Sequence, residues 1–365
     1  MFNLDEKEIS PVESEVNKEL LEDHSGERSG WYYVGNGKYL LPSRYASEFK
    51  QFYHFPGRKD DIWISTFPRS GTTLMQELVW ILVNGFDFET ARKLNLWERT
   101  PFFELNLFFH EKTKEMFLEE NAENPENIKI IQGMSTPAYH SASGLPSPRI
   151  IKTHFPLSLL PRDVHKNKAK VIYVARNPKD VIPSYYHLLR LWRTSGYTSN
   201  LKKFWEQFKK GHGTTKMLLI DKMILYKIIN FIFVTVPWGP YWSHLDEAWN
   251  HKNDENILFL FYEDMLKDME AAIITIANFL SINVSLEKVK QLKEHLDIKN
   301  FCTNPAVNFE EFRNIGVLSK HEKSFVRKGE KRERSEELTD EMEREIDSWI
   351  HENYKKTTLR FTIKQ

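Results

Sequence analysis

The run IWISTF at residues 62–67 leads directly into Pro68-Arg69-Ser70-Gly71-Thr72-Thr73, and then into Leu74, Leu78, Ile81 and Leu82 at helical spacing. Few folds accommodate that order. The first run is β-branched and aromatic, as a buried strand requires, and Asn84-Gly85 closes the helix that follows. Between them, small residues let backbone N–H groups gather at a helix N-terminus, where the macrodipole favours negative charge, and Arg69 adds a full positive charge. On its own residues the loop fits either an anion cradle or an ordinary turn capped by Ser70 or Thr72. It lacks the first glycine and the lysine of G-x-x-x-x-G-K-[ST], which disfavours a nucleotide triphosphatase or kinase.

Three more short apolar runs recur, at 149–153, 171–175 and 257–262, with helical patterns between them. That alternation predicts an α/β fold with a parallel sheet covered by helices on both faces. With 41% hydrophobic and 13% aromatic residues, the 365-residue chain has enough apolar material for a large core. Neither a repeat nor a linker divides it. We therefore expect one domain over 31–365, preceded by an acidic, solvated, mobile tail over 1–30. Met342, Ile346, Trp349, Ile350 and Tyr354 mark a one-sided helix whose role is packing.

Lys plus Arg and Asp plus Glu each number 51, so bulk charge supports no nucleic-acid partner, and any anion site must be local. The single cysteine, Cys302, and the absence of a basic, then apolar, N-terminus lead us to expect a cytoplasmic protein. The most apolar stretch, 217–236, carries Asp221, Lys222 and Lys227, which oppose membrane insertion. No membrane span is expected.

Three further blocks carry chemistry: Ile151-Lys152-Thr153-His154-Phe155-Pro156, Val174-Ala175-Arg176-Asn177-Pro178 with Ser184-Tyr185-Tyr186 downstream, and Phe325-Val326-Arg327-Lys328-Gly329. On the residues alone, His154 fits a base at a strand end or a hydrogen-bonded core histidine. Arg176 fits a phosphate ligand or a local pair with Asp180, and 327–334 fits a solvated charged stretch. With the loop and Phe261-Tyr262-Glu263-Asp264-Met265, these blocks stand in the order found in the cytosolic sulfotransferases, which the chain resembles from Trp31 onward. Tyr39-Leu40-Leu41-Pro42 and Glu77-Leu78-Val79-Trp80 look like the arthropod branch of that family.

The resemblance implies a P-loop-type parallel sheet of five strands, no metal, and 3′-phosphoadenosine 5′-phosphosulfate as donor to a small apolar alcohol or phenol. It implies that His154 is the general base, and that Lys152 and Arg69 act near the transferring group. Arg69, Ser70, Gly71, Thr72 and Thr73 would hold the 5′-phosphosulfate, while Arg176, Ser184 and the Arg327-Lys328-Gly329 loop would hold the 3′-phosphate. Trp242 falls near an adenine-contacting position. The aromatic residues Trp97, Phe102, Phe103, Phe108 and Phe109 suggest a flat or polyene-like acceptor, or packing core.

The chain also departs from the family pattern. Arg69 replaces a lysine, Leu74 a tryptophan and Ile298 an aromatic that stacks on adenine. The segment after Gly329 is short and lacks the family's dimer segment, so a homodimer is not implied, and residues 212–235 form an apolar insertion. A catalytically weak relative that binds nucleotide or an apolar ligand is therefore the alternative to an active enzyme.

Overall fold

The computed structural model describes residues 4–210, 235–326 and 338–362; the inserted segment up to residue 234 and Arg327-Lys328-Gly329 lie outside these. Strands β1 (Ile9–Pro11), β2 (Trp31–Val34) and β3 (Tyr39–Pro42) form a small antiparallel sheet. Helix α1 (Ser14–Asp23) links the first two. The first 30 residues are thus not the solvated tail their composition suggests. Their few apolar side chains are well placed: Leu4, Val12 and Leu20 are buried, and residues 23–26 bond back onto 195–198 through Ser25 N–H to Gly196 and Thr198 N–H to Asp23.

Helix α2 (Arg44–Tyr53) leads to the main sheet, where every pairing is parallel. Its strands are β4 (Ile62–Thr66), β5 (Ile150–Thr153), β6 (Lys170–Ala175) and β7 (Ile257–Phe261), in the order β5-β4-β6-β7. They coincide with the four apolar runs. The sheet has four strands among the described residues, not the expected five. Beside the outer edge of β5 the chain at 101–103 makes only one bridge, Phe102 to Lys152, with Lys152 N–H bonding Pro101 and Phe103 N–H bonding Lys152. Pro101 has no N–H with which to extend the ladder.

Alternation along the strands sends Trp63, Val171 and Tyr173 into one buried cluster, and Ile62, Ile64, Ile172 and Val174 into another. Helices α3 (Thr72–Val83) and α6 (Met269–Leu280) supply the second cluster; α4 (Pro178–Leu191), α5 (Tyr241–Asn250) and α7 (Asp340–Tyr354) supply the first. Both faces are therefore covered by helices. Each fully buried large apolar side chain contributes roughly 1.5–3 kcal/mol of transfer free energy, so the strand ends are held by a stiff core. In α7 the stripe Met342, Ile346 and Ile350 packs as the periodicity predicts.

Candidate active site

The C-terminal edges of the four parallel strands bring together the loop after β4, Lys152 and His154 at the end of β5, Arg176 after β6, and Tyr262 after β7. In α/β sheets this is where ligands bind. Gly71 has φ +97°, a conformation that disfavours side chains, and a Cβ there would lie 2.4 Å from the Tyr262 ring. It caps α3 without a side chain. Of the two residues suggested as caps, Thr72 instead shares a 2.6 Å hydroxyl bond with Thr66, and the Ser70 hydroxyl is buried with no partner among the described residues. A buried unpaired hydroxyl costs roughly 1–3 kcal/mol, so the turn is not self-satisfied.

Arg176 donates from a terminal nitrogen to the Arg69 carbonyl at 2.8 Å, lies over the Tyr262 ring, and keeps a buried Nε with no partner among the described residues. Ser184, buried in α4, accepts from Arg69 Nε at 2.9 Å. The Arg69 guanidinium also donates to the Phe325 carbonyl at 3.2 Å and stacks on its ring, 5.0 Å from the centroid. Arg69, at φ +68°, thus packs with Arg176 and Ser184, near enough to Lys152 for its charge to act on that lysine.

His154 is buried, and its Nδ1 lies 2.8 Å from the Thr66 carbonyl. A carbonyl only accepts, so Nδ1 carries the proton and Nε2 the lone pair. Burial, reinforced by the Lys152 charge, holds the imidazole well below its ordinary pKa and therefore neutral. Its own carbonyl accepts from His244 Nε2 at 2.9 Å, and the Tyr173 hydroxyl donates to His244 Nδ1 at 2.7 Å. Backbone and ring are both fixed.

Glu104, which sequence reasoning missed, anchors this end. Its carboxylate accepts from His154 N–H at 2.6 Å, the Thr153 hydroxyl at 2.8 Å and Trp238 Nε1 at 3.1 Å. Burial pushes its pKa up to about 7, against the pull of those donors. Lys152 stands 3.9 Å over the Phe102 ring, and burial lowers its pKa to about 8, opposed by Glu104 and assisted by the Arg69 charge. Nothing in the spacing of Glu104 or Trp238 marks them, since they meet only in the folded chain.

A cavity of about 2110 Å³ joins these groups. Pro68, Arg69, Gly71, Thr72, Thr73, Arg176 and Ser184 line it, as do Lys152 and His154. Trp97, Phe102 and Phe108 also border it, whereas Phe103 and Phe109 are fully buried in the core. Trp242 does not reach the cavity: it is 1% exposed and packs against Trp349, Tyr354 and Phe361, so it is a core residue and not a base contact. Leu74 and Ile298 do border the cavity, the latter 41% exposed.

Residues 59–358 match the sulfotransferase domain family. Among curated proteins, human Sulfotransferase 4A1 is 31% identical over 270 residues, covering 74% of this chain and 76% of that one. Luciferin sulfotransferase of Photinus pyralis is 31% identical over 322 residues, covering 87% and 77%. Among solved structures, retinol dehydratase bound to retinol and 3′-phosphoadenosine 5′-phosphate superposes with a TM-score of 0.81 at 31% identity, covering 97% of this chain and 98% of that one. The complex of retinol dehydratase with androsterone and the same nucleotide gives 0.82.

Proposed function

The chain belongs to the sulfotransferase family, and we propose that it moves a sulfuryl group from 3′-phosphoadenosine 5′-phosphosulfate to the hydroxyl of a small, elongated apolar alcohol or phenol in the cytoplasm. The observation that carries this reading is the tautomer of His154. With Nδ1–H committed to the Thr66 carbonyl, Nε2 remains as a neutral base at the wall of a cavity that also holds two arginines. Retinol and androsterone, bound by the structural relative, are both elongated apolar alcohols, and ring faces of Phe102, Phe108 and Trp238 suit such a shape.

The unpaired Nε of Arg176, which borders the cavity, fits a phosphorylated donor. Arg176, Arg69 and Ser184 would hold its 3′-phosphate, and Ser70 through Thr73 its 5′ end. The donor, when bound, supplies an activated sulfur whose bond to the phosphate oxygen can break. Attack by the acceptor oxygen forms the new S–O bond, the acceptor proton passes to His154 Nε2, and the nucleotide departs as the bisphosphate. Lys152, charged below about pH 8, would balance negative charge growing on the departing oxygen. Glu104 fixes His154 and Trp238 relative to each other.

A weaker reading, a relative that binds nucleotide without efficient turnover, draws on Leu74 and Ile298, aliphatic where a ring would stack on adenine; such stacking is worth about 1–3 kcal/mol. Incubating the protein with the phosphosulfate donor and retinol, and weighing the organic product by mass spectrometry, separates the two. A sulfate ester, or a product derived from it with stoichiometric release of the bisphosphate nucleotide, supports transfer. Tight nucleotide binding without release supports the weaker reading.

A further inference from the structure

Beyond Phe108, the cavity is walled by the N-terminal segment. Trp238 lies 5.2 Å from the His154 ring and 4.2 Å from Phe108, Phe108 packs on the buried cluster containing Trp31, and Trp31 lies 5.2 Å from His24. A continuous aromatic wall thus leads from the base to His24 and Trp31, both of which border the same cavity. Each is more than nine-tenths buried, and His24 Nε2 and Trp31 Nε1 have no hydrogen-bond partner among the described residues. Trp63 and Trp242 also have an unpaired indole nitrogen, but neither borders the cavity, so no ligand reaches them.

We infer that His24 and Trp31 form a recognition site for a second, neutral oxygen of the acceptor, a hydroxyl or a carbonyl, at the end remote from the reacting hydroxyl. The inference rests on the reading of the cavity as the acceptor site. Trp31 offers only a donor, whereas the His24 ring, whose Nδ1 lies 3.2 Å from the Ser195 hydroxyl, offers either role at Nε2. A hydroxyl satisfies both nitrogens in either tautomer, and a carbonyl does so when Nε2 carries the proton. An anionic group is disfavoured on two grounds. Burial lowers the His24 pKa to about 4 and keeps the ring uncharged, and the Glu27 carboxylate borders the cavity beside it, bound to the N–H groups of Arg28 and Ser29. Residues 23–26 are pinned by Ser25 and Gly26 N–H bonds to 195–196, and Trp31 by its N–H bond to the Asn17 side chain and its pairing with Pro42, so both residues are held before a ligand arrives.

The test compares dissociation constants of 1-alkanols and α,ω-diols of matched chain length, measured by calorimetry on protein saturated with 3′-phosphoadenosine 5′-phosphate, so that no turnover is needed. At the chain length that spans the cavity, the diol should bind about tenfold tighter than the alkanol, the value of one well-made buried hydrogen bond. His24→Phe and Trp31→Phe should each reduce that preference to onefold or below while leaving the alkanol affinity within a few-fold, which also shows that the variants fold. Alkanols binding as well as diols at every length would overturn the inference and leave the acceptor reading standing. A diol preference that survives both substitutions would overturn it too. If no alcohol binds at all, the acceptor reading falls with it.

Discussion

At one end of the cleft Arg69 and Arg176 present charge beside the Ser184 hydroxyl and Arg176 keeps an unpaired nitrogen, whereas at the other Phe102, Phe108 and Trp238 present ring faces around a single imidazole nitrogen. On the proposed reading the donor end would be specific because a buried unpaired guanidinium nitrogen is costly and a matching anion removes that cost. The acceptor end relies on apolar contact, which tolerates many shapes, and leaves discrimination to a few polar atoms. Changes at the donor end should therefore appear in nucleotide affinity, and changes at the acceptor end in turnover and acceptor choice.

The largest expected effect is at the junction of the two. His154→Ala should lower the transfer rate by about 10²–10⁴ while nucleotide affinity, read by calorimetry, stays within a few-fold of the parent. Equal losses in both would show that the ends are not separable. Next comes Arg176→Ala, which should weaken 3′-phosphoadenosine 5′-phosphate by about 10–100-fold, the worth of charge-assisted hydrogen bonds. Alkanol affinity should not move.

Arg69→Lys sharpens the comparison further. Because Arg69 bonds Ser184 and stacks on Phe325, lysine should loosen the nucleotide by up to about tenfold without raising kcat. A rise in kcat would return residue 69 to the departing oxygen. The smallest effect concerns pH. Lys152 holds its proton below about 8 and loses it above, so kcat/KM should fall as pH rises through about 8. The limb in kcat should lie higher, because a bound anion favours the charged lysine. Lys152→Arg should abolish the alkaline limb; a limb that persists would assign it elsewhere.

The same division explains what the sequence disclosed. The donor end is assembled at strand ends from contiguous stretches, such as Pro68 to Thr73, so spacing and strand patterning expose it. All four main strands were legible for that reason. Glu104, Trp238, His24 and Trp31 come from segments far apart in the chain and meet only through packing, and by residue type the tryptophans suggest core and the glutamate surface. The first 30 residues mislead by composition, since three well-placed apolar side chains and backbone pairing suffice to dock an acidic segment. Trp242 misleads by position: it is one residue beyond Tyr241, whose hydroxyl bonds the Arg176 carbonyl, but its own ring packs on Trp349, Tyr354 and Phe361. Glu104 shows a further limit, because a carboxylate that binds backbone N–H carries no motif.

The proposed donor end is above all a cradle for a 3′-phosphate held without metal. Calorimetric titration of the parent with 3′-phosphoadenosine 5′-phosphate in chelator, set against ATP with magnesium, tests this directly. The bisphosphate should bind and ATP should not, because Arg176, Arg69 and Ser184 would bond a 3′-phosphate where ATP has only a hydroxyl. Equal affinity for the two, or binding of ATP alone, would contradict the account.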